Sequence, residues 1–455
     1  MPLETLRHAT IGTRYEGQLW LVGGAVRDEL LGRPQPKDFD VVLESDALAL
    51  AGFLRERGAS EIEPVVYPRF GTALIRIDGV DVELITARRE SYEQTSRKPN
   101  VEPATLADDA LRRDFTVNTL LRNIHTRELR DPLGNGLEDI RAHVLRTPLD
   151  PRETFYDDPL RMLRAIRFRW QLGFDPAPGL YEAIAEEADR LKIISAERIR
   201  DEWVKMLILP DADRAMAELH ELGLLEIFAP ELLEMVGVEQ GAYHHLDVWN
   251  HSLLVLRNAG PGNLRLALAA LLHDIGKPRT QSVDEEGHIR FFGHESVGAE
   301  MTRDLLRRLK FSNEQIEPVA KLVRNHMRFG SMPQFTAAAA RRLIRDMDGD
   351  VEELLQLVEA DANGLKRGVR VLDLEPIRAR LEEVARVTPR STLESPLSGE
   401  EIMRIGNLPP GVEVGRLKAL LTEKVLEGEL EAGDKAKAVE LLKEDLHRSR
   451  EAGLL

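Results

Sequence analysis

The sequence predicts an α+β fold: a small N-terminal head of strands and helices, followed by a long, all-helical body. Three observations predict it. Between residues 18 and 86, short apolar runs (LWLVGG, DVVLE, TALIRIDG, DVELIT) alternate with polar turns and one amphipathic helix at 46–57. From about residue 150 onward, Leu, Ile, Ala and Met recur at three- and four-residue spacing. Pro-Gly punctuation at 176–179, 260–262 and 409–411 divides that periodicity into separate helices.

At 455 residues the chain exceeds what one hydrophobic core organises, so several domains are expected. The expected divisions are a head over 1–145, a helical neck over 146–215, a body over 216–370 and a helical tail over 371–455. The aperiodic segment 389–399 (PRSTLESPLSG) is the expected linker, and the helices after Val412 are strongly charged. A hydrophobic share of 43% with 31% charged residues describes a water-soluble chain, with no run long enough for a membrane helix. Residues 1–17 lack the apolar core of a secretory signal, and the absence of cysteine excludes disulfides, thiolate metal sites and a cysteine nucleophile. A cytoplasmic location is expected. The net charge of −16 argues against indiscriminate nucleic-acid binding, although arginine concentrates locally at 112–113 and 161–169.

The stretch LVGGAVRDELLGRPQPKDFDVVLE, residues 21–44, carries the first chemical signal. Side chains alternate along a strand, so Asp38 and Asp40 point one way while Phe39 points the other. Two adjacent carboxylates repel unless a cation lies between them, and hard oxygen ligands suit Mg²⁺. Gly23 and Gly24, where a strand turns into a helix, let backbone N–H groups approach an anion. Arg27, one turn later, adds a charge for the same phosphates. Metal, phosphate cradle and arginine together point to nucleotidyl transfer with two metal ions.

GGAVRDELLG followed by KDFD resembles the signature of the tRNA nucleotidyltransferase and bacterial poly(A) polymerase family, whose head is similar to the catalytic fold of DNA polymerase beta. The resemblance continues in order through RFGTALI (69–75), DVELITARRE (81–90), LRRDFTVNTL (111–120), DPLGNGLEDI (131–140), DDPLRMLRAIRF (157–168) and SAERIRDEWVKML (195–207). It implies template-independent addition of C and A to the 3′ end of tRNA, with CTP and ATP as substrates and the RNA hydroxyl as nucleophile. By the same resemblance, Asp158 and Arg161 match the base-reading pair, while Arg164, Arg167 and Arg113 match further nucleotide-contacting arginines. Asp158 and Arg161 are three apart and are expected as helix neighbours. An aspartate accepts from the exocyclic amine that C and A share, and an arginine donates to the adjacent ring nitrogen; G and U present the opposite pattern.

Asp157 stands where many relatives have Glu, and Asp114 is expected to tie the head to the following helix. Asp81 and Glu83 share a strand face, and either is a candidate third acidic group. The polar segment SYEQTSRKPNVEPATLAD, between Glu90 and Asp109, is expected as a loop. In the family a flexible loop here helps the pocket switch from C to A and is shortened in C-only members; its length here favours complete CCA or A-only addition. C-only or A-only addition, poly(A) synthesis and non-catalytic RNA binding remain rival readings.

A second constellation lies in the helical body. HHLDVWNHSLLVL (244–256), LLHDIGKP (271–278), GHESVGAEM (293–301), VRNHMRF (323–329) and Asp361 in EADANG supply imidazoles and carboxylates, ordinary ligands of divalent metals. Their order resembles the HD phosphohydrolase superfamily. The resemblance implies that His251, His273, Asp274 and Asp361 hold an unidentified divalent metal, with His294 and His326 as the extra pair of dinuclear members. It implies hydrolysis of a phosphate ester, here expected at an RNA end; His244 and His245 are given no role. The tail segment LSGEEIMRIGNLPPGVEVGRLKALL is expected to help hold the tRNA acceptor arm. Oligomeric state is left unassigned.

Overall fold

The computed structural model describes residues 2–93, 96–241, 245–329, 335–365, 373–387, 393–431 and 433–451, with backbone alone between 90 and 100. The chain forms two compact units, Met1–Leu233 and Glu234–Leu455.

The first unit is built on a seven-stranded mixed sheet. Its strands are β1 (Trp20–Val22), β2 (Asp38–Leu43), β3 (Val65–Tyr67), β4 (Thr72–Ile77) and β5 (Val80–Thr86). After the hairpin strands β6 (Arg88–Glu93) and β7 (Ser96–Pro103) come β8 (Leu121–Asn123) and β9 (Leu129–Arg130). The order across the sheet is β3-β4-β5-β2-β1-β8-β9, with β2 and β5 parallel and the other neighbours antiparallel. Side-chain alternation gives the sheet two unlike faces. On one, Leu21, Val41, Leu43, Ala73, Ile75, Val82 and Leu84 are buried, and the helix Ala47–Glu56 covers them with Leu50, Ala51 and Leu54. The other carries Asp38, Asp40 and Glu83 at one end and an apolar cluster of Trp20, Val22, Val42, Ile85 and Leu121 at the other.

The segment expected as a loop after Glu90 is instead the antiparallel hairpin of β6 and β7, continued by the helix Leu106–Leu111. Its strands are polar, so no apolar alternation announced them; backbone ladder bonds supply the order. Residues 94 and 95 of that segment lie outside the described residues.

Helices follow at Pro151–Asp157, Leu160–Leu172, Leu180–Glu187, Ala196–Leu207 and Ala212–Glu221. The last of these runs across position 215/216. It stays with the first unit because the Trp170 indole N–H donates to Glu218 at 2.9 Å and Arg169 pairs with Glu218 at 3.2 Å.

In the second unit, helices Val248–Ala259, Leu264–Leu272, His294–Arg308, Asn313–Asn325 and Val351–Ala362 bury Leu253, Leu268, Leu305, Val319 and Leu354. Helices Gly399–Gly406, Val412–Glu427 and Lys435–Glu451 share a core of Ile402, Leu417, Leu421, Leu442 and Leu446. Residues 388–392, which include the start of the expected linker, lie outside the described residues. Leu393 and Leu397 in its remainder are buried, and Ser398 caps the helix Gly399–Gly406 with a reciprocal bond to Glu401. This part is anchored rather than solvated.

Candidate functional site

Asp38 and Asp40 project from β2 on the same face, as alternation required. Pairing with β5 places Glu83 opposite Asp40 and Asp81 opposite Asp38. Electrostatics separates the two candidates for a third acid. Asp81 is engaged by Arg76 on the next strand at 2.7 Å, which holds its carboxyl below the usual range. Glu83 is pushed up by the surrounding protein and then by the charge of Asp40. Asp40 is likewise pushed up, first by burial and further by Asp38, with Arg113 opposing. Among the described residues, neither the Asp38 nor the Asp40 carboxylate has a hydrogen-bond or ion-pair partner. Converging carboxylates of this kind fit a hard divalent cation.

Gly23 ends β1 at φ 76° and ψ −140°, a conformation restricted to glycine. A Cβ there would lie 3.3 Å from Asp40 Oδ2 and 3.9 Å from an Arg113 guanidinium nitrogen. The turn therefore presents bare backbone to the space above the carboxylates. That space is a cavity of about 310 Å³ lined by Gly23, Gly24, Arg27, Asp38, Asp40, Arg113, Asp114, Asn118, Arg164, Arg167 and Phe168, among others.

Each arginine is held from behind. Arg27 is forked onto Asp28 at 2.8 and 3.0 Å and donates to Asn118 Oδ1 at 2.8 Å. Arg113 pairs with buried Asp109 at 2.9 Å, and Arg167 with Glu202 at 2.6 Å. Arg164 reaches Asp114 at 2.8 Å, realising the expected tie between head and helix. Burial opposes the Asp114 charge, but Arg164 and the Asn118 amide hold its carboxyl well below the usual range.

Asp158 and Arg161 are not among the residues lining the cavity. Asp158 does not sit on the arginine helix. It caps Pro151–Asp157 in extended conformation, and Pro159 intervenes before Leu160–Leu172 begins. Its Oδ1 accepts the Leu160 N–H at 3.3 Å and its Oδ2 accepts from Arg198 at 2.8 Å. Arg161 is buried and donates to the Thr154 carbonyl at 3.2 Å and to the Arg112 carbonyl. Asn118, Phe168 and Arg198 were not singled out from sequence. All three stand inside quoted motifs, Asn118 in 111–120, Phe168 in 157–168 and Arg198 in 195–207, a signal that could have found them.

The second unit assembles the histidine cluster from helix ends. His251 lies in the first turn of Val248–Ala259, His273 caps Leu264–Leu272, His294 opens His294–Arg308, His326 follows Asn313–Asn325, and Asp361 ends Val351–Ala362. Two triads share one carboxylate: His251, His273 and Asp274, and Asp274, His294 and His326. His251 Nε2 lies 2.9 Å from Asp361 and 3.8 Å from Asp274; His294 and His326 Nε2 stand 3.4 and 3.7 Å from Asp274. Nδ1 of His273, His294 and His326 lies 2.7–2.8 Å from the backbone carbonyl three residues earlier. Donation there leaves each Nε2 lone pair facing the centre, the usual orientation of a metal-ligating imidazole.

His273 Nε2 is buried 3.0 Å from Asp274 Oδ2 without forming a hydrogen bond to it, an arrangement that suits two ligands of one divalent cation. Burial and neighbouring His273 push the His326 pKa down to about 3, so it is a neutral donor. Asp274 is kept ionised: burial opposes its charge, but His273 and Lys277 draw its carboxyl well below the usual range. Lys277 bridges Asp274 and Gln240 at 2.6 Å to each. Gly276 explains how the parts meet. A Cβ there would fall 2.3 Å from the His294 carbonyl oxygen and 2.7 Å from the Gly298 nitrogen, so only glycine lets the two backbones touch. His245 belongs to neither triad, and His244 lies outside the described residues. Among the described residues, no helix is long and apolar enough to cross a membrane.

Three family models match in chain order: the poly A polymerase head domain over residues 19–146, a probable RNA- and SrmB-binding site of polymerase A over 173–235, and the HD domain over 241–374. The A-adding tRNA nucleotidyltransferase of Deinococcus radiodurans is 35% identical, covering 92% of this chain and 94% of that protein. The CC-adding tRNA nucleotidyltransferase of Thermus thermophilus is also 35% identical, covering 92% of each. Among solved structures, the Bacillus stearothermophilus CCA-adding enzyme in complex with CTP superimposes with a TM-score of 0.71 over 99% of both chains at 23% identity, a likeness of fold.

Proposed function

The chain belongs to the tRNA nucleotidyltransferase and poly(A) polymerase family, and from that premise we propose that it adds C and A nucleotides to the 3′ end of tRNA without a template. The carrying observation is the cavity in which a glycine turn, two carboxylates and four arginines face one another. Asp38 and Asp40, with Glu83 beside them, would hold Mg²⁺, which when bound activates the attacking hydroxyl and stabilises charge on the phosphates. The Gly23–Gly24 turn and Arg27, Arg113, Arg164 and Arg167 receive the triphosphate of CTP or ATP. Asp158 and Arg161 read the base edge once the nucleotide has entered, Asp158 as acceptor and Arg161 as donor. The RNA's own 3′ hydroxyl is the nucleophile, so no protein nucleophile is needed. The tail helices help hold the acceptor arm, and the work is done in the cytoplasm.

The hairpin, with β6 and β7 paired after Glu90, supports complete CCA or A-only addition over C-only addition, and complete addition is the first reading. The two relatives at 35% identity, one A-adding and one CC-adding, favour partial specificity as the second reading. Extension of tRNA ending at the discriminator base, with CTP alone, ATP alone and both, decides between them. Extension by three nucleotides only when both are present supports the first; no extension of tRNAs ending at the discriminator or in CC refutes the assignment.

The HD cluster is proposed as a phosphohydrolase acting on phosphate esters at RNA ends, where a terminal phosphate would block nucleotide addition. A divalent metal held there would polarise the phosphate and lower the pKa of its water. Hydrolysis of 2′,3′-cyclic phosphates and phosphomonoesters by the protein with Mn²⁺, Ni²⁺ or Mg²⁺ tests it. If neither class is cleaved, the cluster is a scaffold.

A further inference from the structure

Three guanidiniums of the cavity converge on one aromatic ring. Phe168, 4% exposed, has the Arg167 guanidinium carbon 4.1 Å from its centroid, that of Arg27 at 5.1 Å and that of Arg164 at 5.3 Å. The ring is itself set edge-on against buried Phe115 at 5.7 Å and 87°. Phe115 follows Asp114, whose carboxylate accepts its backbone N–H at 2.8 Å. The ring is thereby fixed to the same structure that anchors Arg164.

We infer that Phe168 is a positioning residue for the triphosphate: its π-face holds Arg27, Arg164 and Arg167 in the binding arrangement without cancelling their charge. The physical need is specific. Guanidiniums gathered at one wall repel, and the simplest remedy, further carboxylates, would neutralise the field that has to attract a phosphate chain. Asp28, Asp114 and Glu202 already occupy that role behind the arginines. An aromatic quadrupole attracts cations while adding no net charge, and guanidinium planes also stack on it. A leucine would supply apolar contact but leave repulsion unanswered on the cavity side. This inference rests on the reading of the cavity as the triphosphate site.

The test replaces Phe168 in the full-length protein with 4-fluoro-, 3,5-difluoro- and 3,4,5-trifluorophenylalanine, which keep the ring's shape and progressively drain its π-face. Binding of inorganic tripolyphosphate is measured by calorimetry, and KM and kcat for CTP on a tRNA lacking its terminal nucleotides are measured in parallel. The expected result is a stepwise rise of tripolyphosphate Kd and CTP KM by about three- to tenfold across the series, with kcat moving less and Tm constant. Phe168→Leu should match the trifluoro protein, and Phe168→Trp should retain binding if it folds. A flat series with wild-type affinity overturns the inference, because a packing role responds to shape and not to fluorination. Failure of the wild-type protein to bind tripolyphosphate also overturns it. A protein that binds tripolyphosphate with the graded response but adds no nucleotide refutes nucleotidyl transfer and leaves the inference standing.

Discussion

Asp114 and Arg164, fifty residues apart, form the junction between the sheet-bearing head and the arginine helix: the guanidinium Nε donates to Asp114 Oδ2 at 2.8 Å, while Oδ1 takes the Asn118 amide at 2.9 Å. The carboxyl is held below its ordinary range, so its stabilising contribution is present above the unfolded-state pKa and is lost as pH falls through the folded value. Asp114→Asn should cost on the order of 2 kcal/mol, because it leaves a partly buried guanidinium with only the more distant Glu202, at 3.7 Å, as its anion. Denaturant titrations at pH 7 and in acid check this: the difference between wild type and variant should shrink as pH falls.

Asp40 carries the opposite sign. Burial and Asp38 push its carboxyl up, so its charge strains the fold at neutral pH and folding strengthens as pH falls through the raised value. Asp40→Asn should therefore raise Tm at pH 7 in metal-free buffer and abolish incorporation of labelled CTP, by at least about 100-fold. Substantial incorporation by Asp38→Ala or Asp40→Ala would refute the two-metal assignment.

Gly23→Ala tests the turn. Its Cβ would crowd Asp40 at 3.3 Å in a backbone conformation that side chains rarely adopt. A destabilisation of about 1–3 kcal/mol is expected, with KM for both nucleotides raised more than tenfold. Thermal melts and steady-state kinetics measure the two effects separately.

Arg198 holds one oxygen of Asp158 at 2.8 Å, so the proposed base-reading carboxylate is oriented by a residue forty positions away. Arg198→Ala should relax discrimination: KM for CTP and ATP rises several-fold and misincorporation of UTP or GTP becomes measurable. Arg198→Lys should recover part of the loss. Unchanged nucleotide selectivity in Arg198→Ala would count against Asp158 as the reader.

Metal bound at the histidine cluster should stabilise the second unit. Chelation should lower the melting temperature of the histidine-bearing unit, and Mn²⁺ or Ni²⁺ should restore it in wild type but not in Asp274→Asn, since Asp274 belongs to both triads. Asp274→Asn should abolish phosphate-ester hydrolysis while nucleotide addition continues. Differential scanning calorimetry and the two activity assays separate these outcomes.

Features set by local chain geometry were legible. The Asp38–Asp40 alternation, the Gly23 turn and the adjacency of His273 to Asp274 each depend on a few consecutive residues. Partners distant in sequence were not: Asn118 meets Arg27 across ninety-one positions, and Arg198 meets Asp158 across forty. Asp158 does neighbour Arg161, whose backbone N–H donates to its carbonyl at 3.0 Å, but not within one helix: Pro159 separates two helices there, and an extended residue before proline is the sterically favoured arrangement. β3 escaped notice as a three-residue edge strand between Pro64 and Pro68, too short to show a period.

By itself the sequence determined the fold class, the order of the parts and the chemical character of each site, because hydrophobic period, glycine turns and charged side chains act over a few residues. Only the tertiary structure decided which acid stands opposite Asp40, what stands behind each arginine, and that four histidines meet Asp274 in two triads with Asp361 beside His251. Those are contacts between segments far apart in the chain, set by strand register and by the close approach of backbones at residues such as Gly276, and no local pattern encodes either.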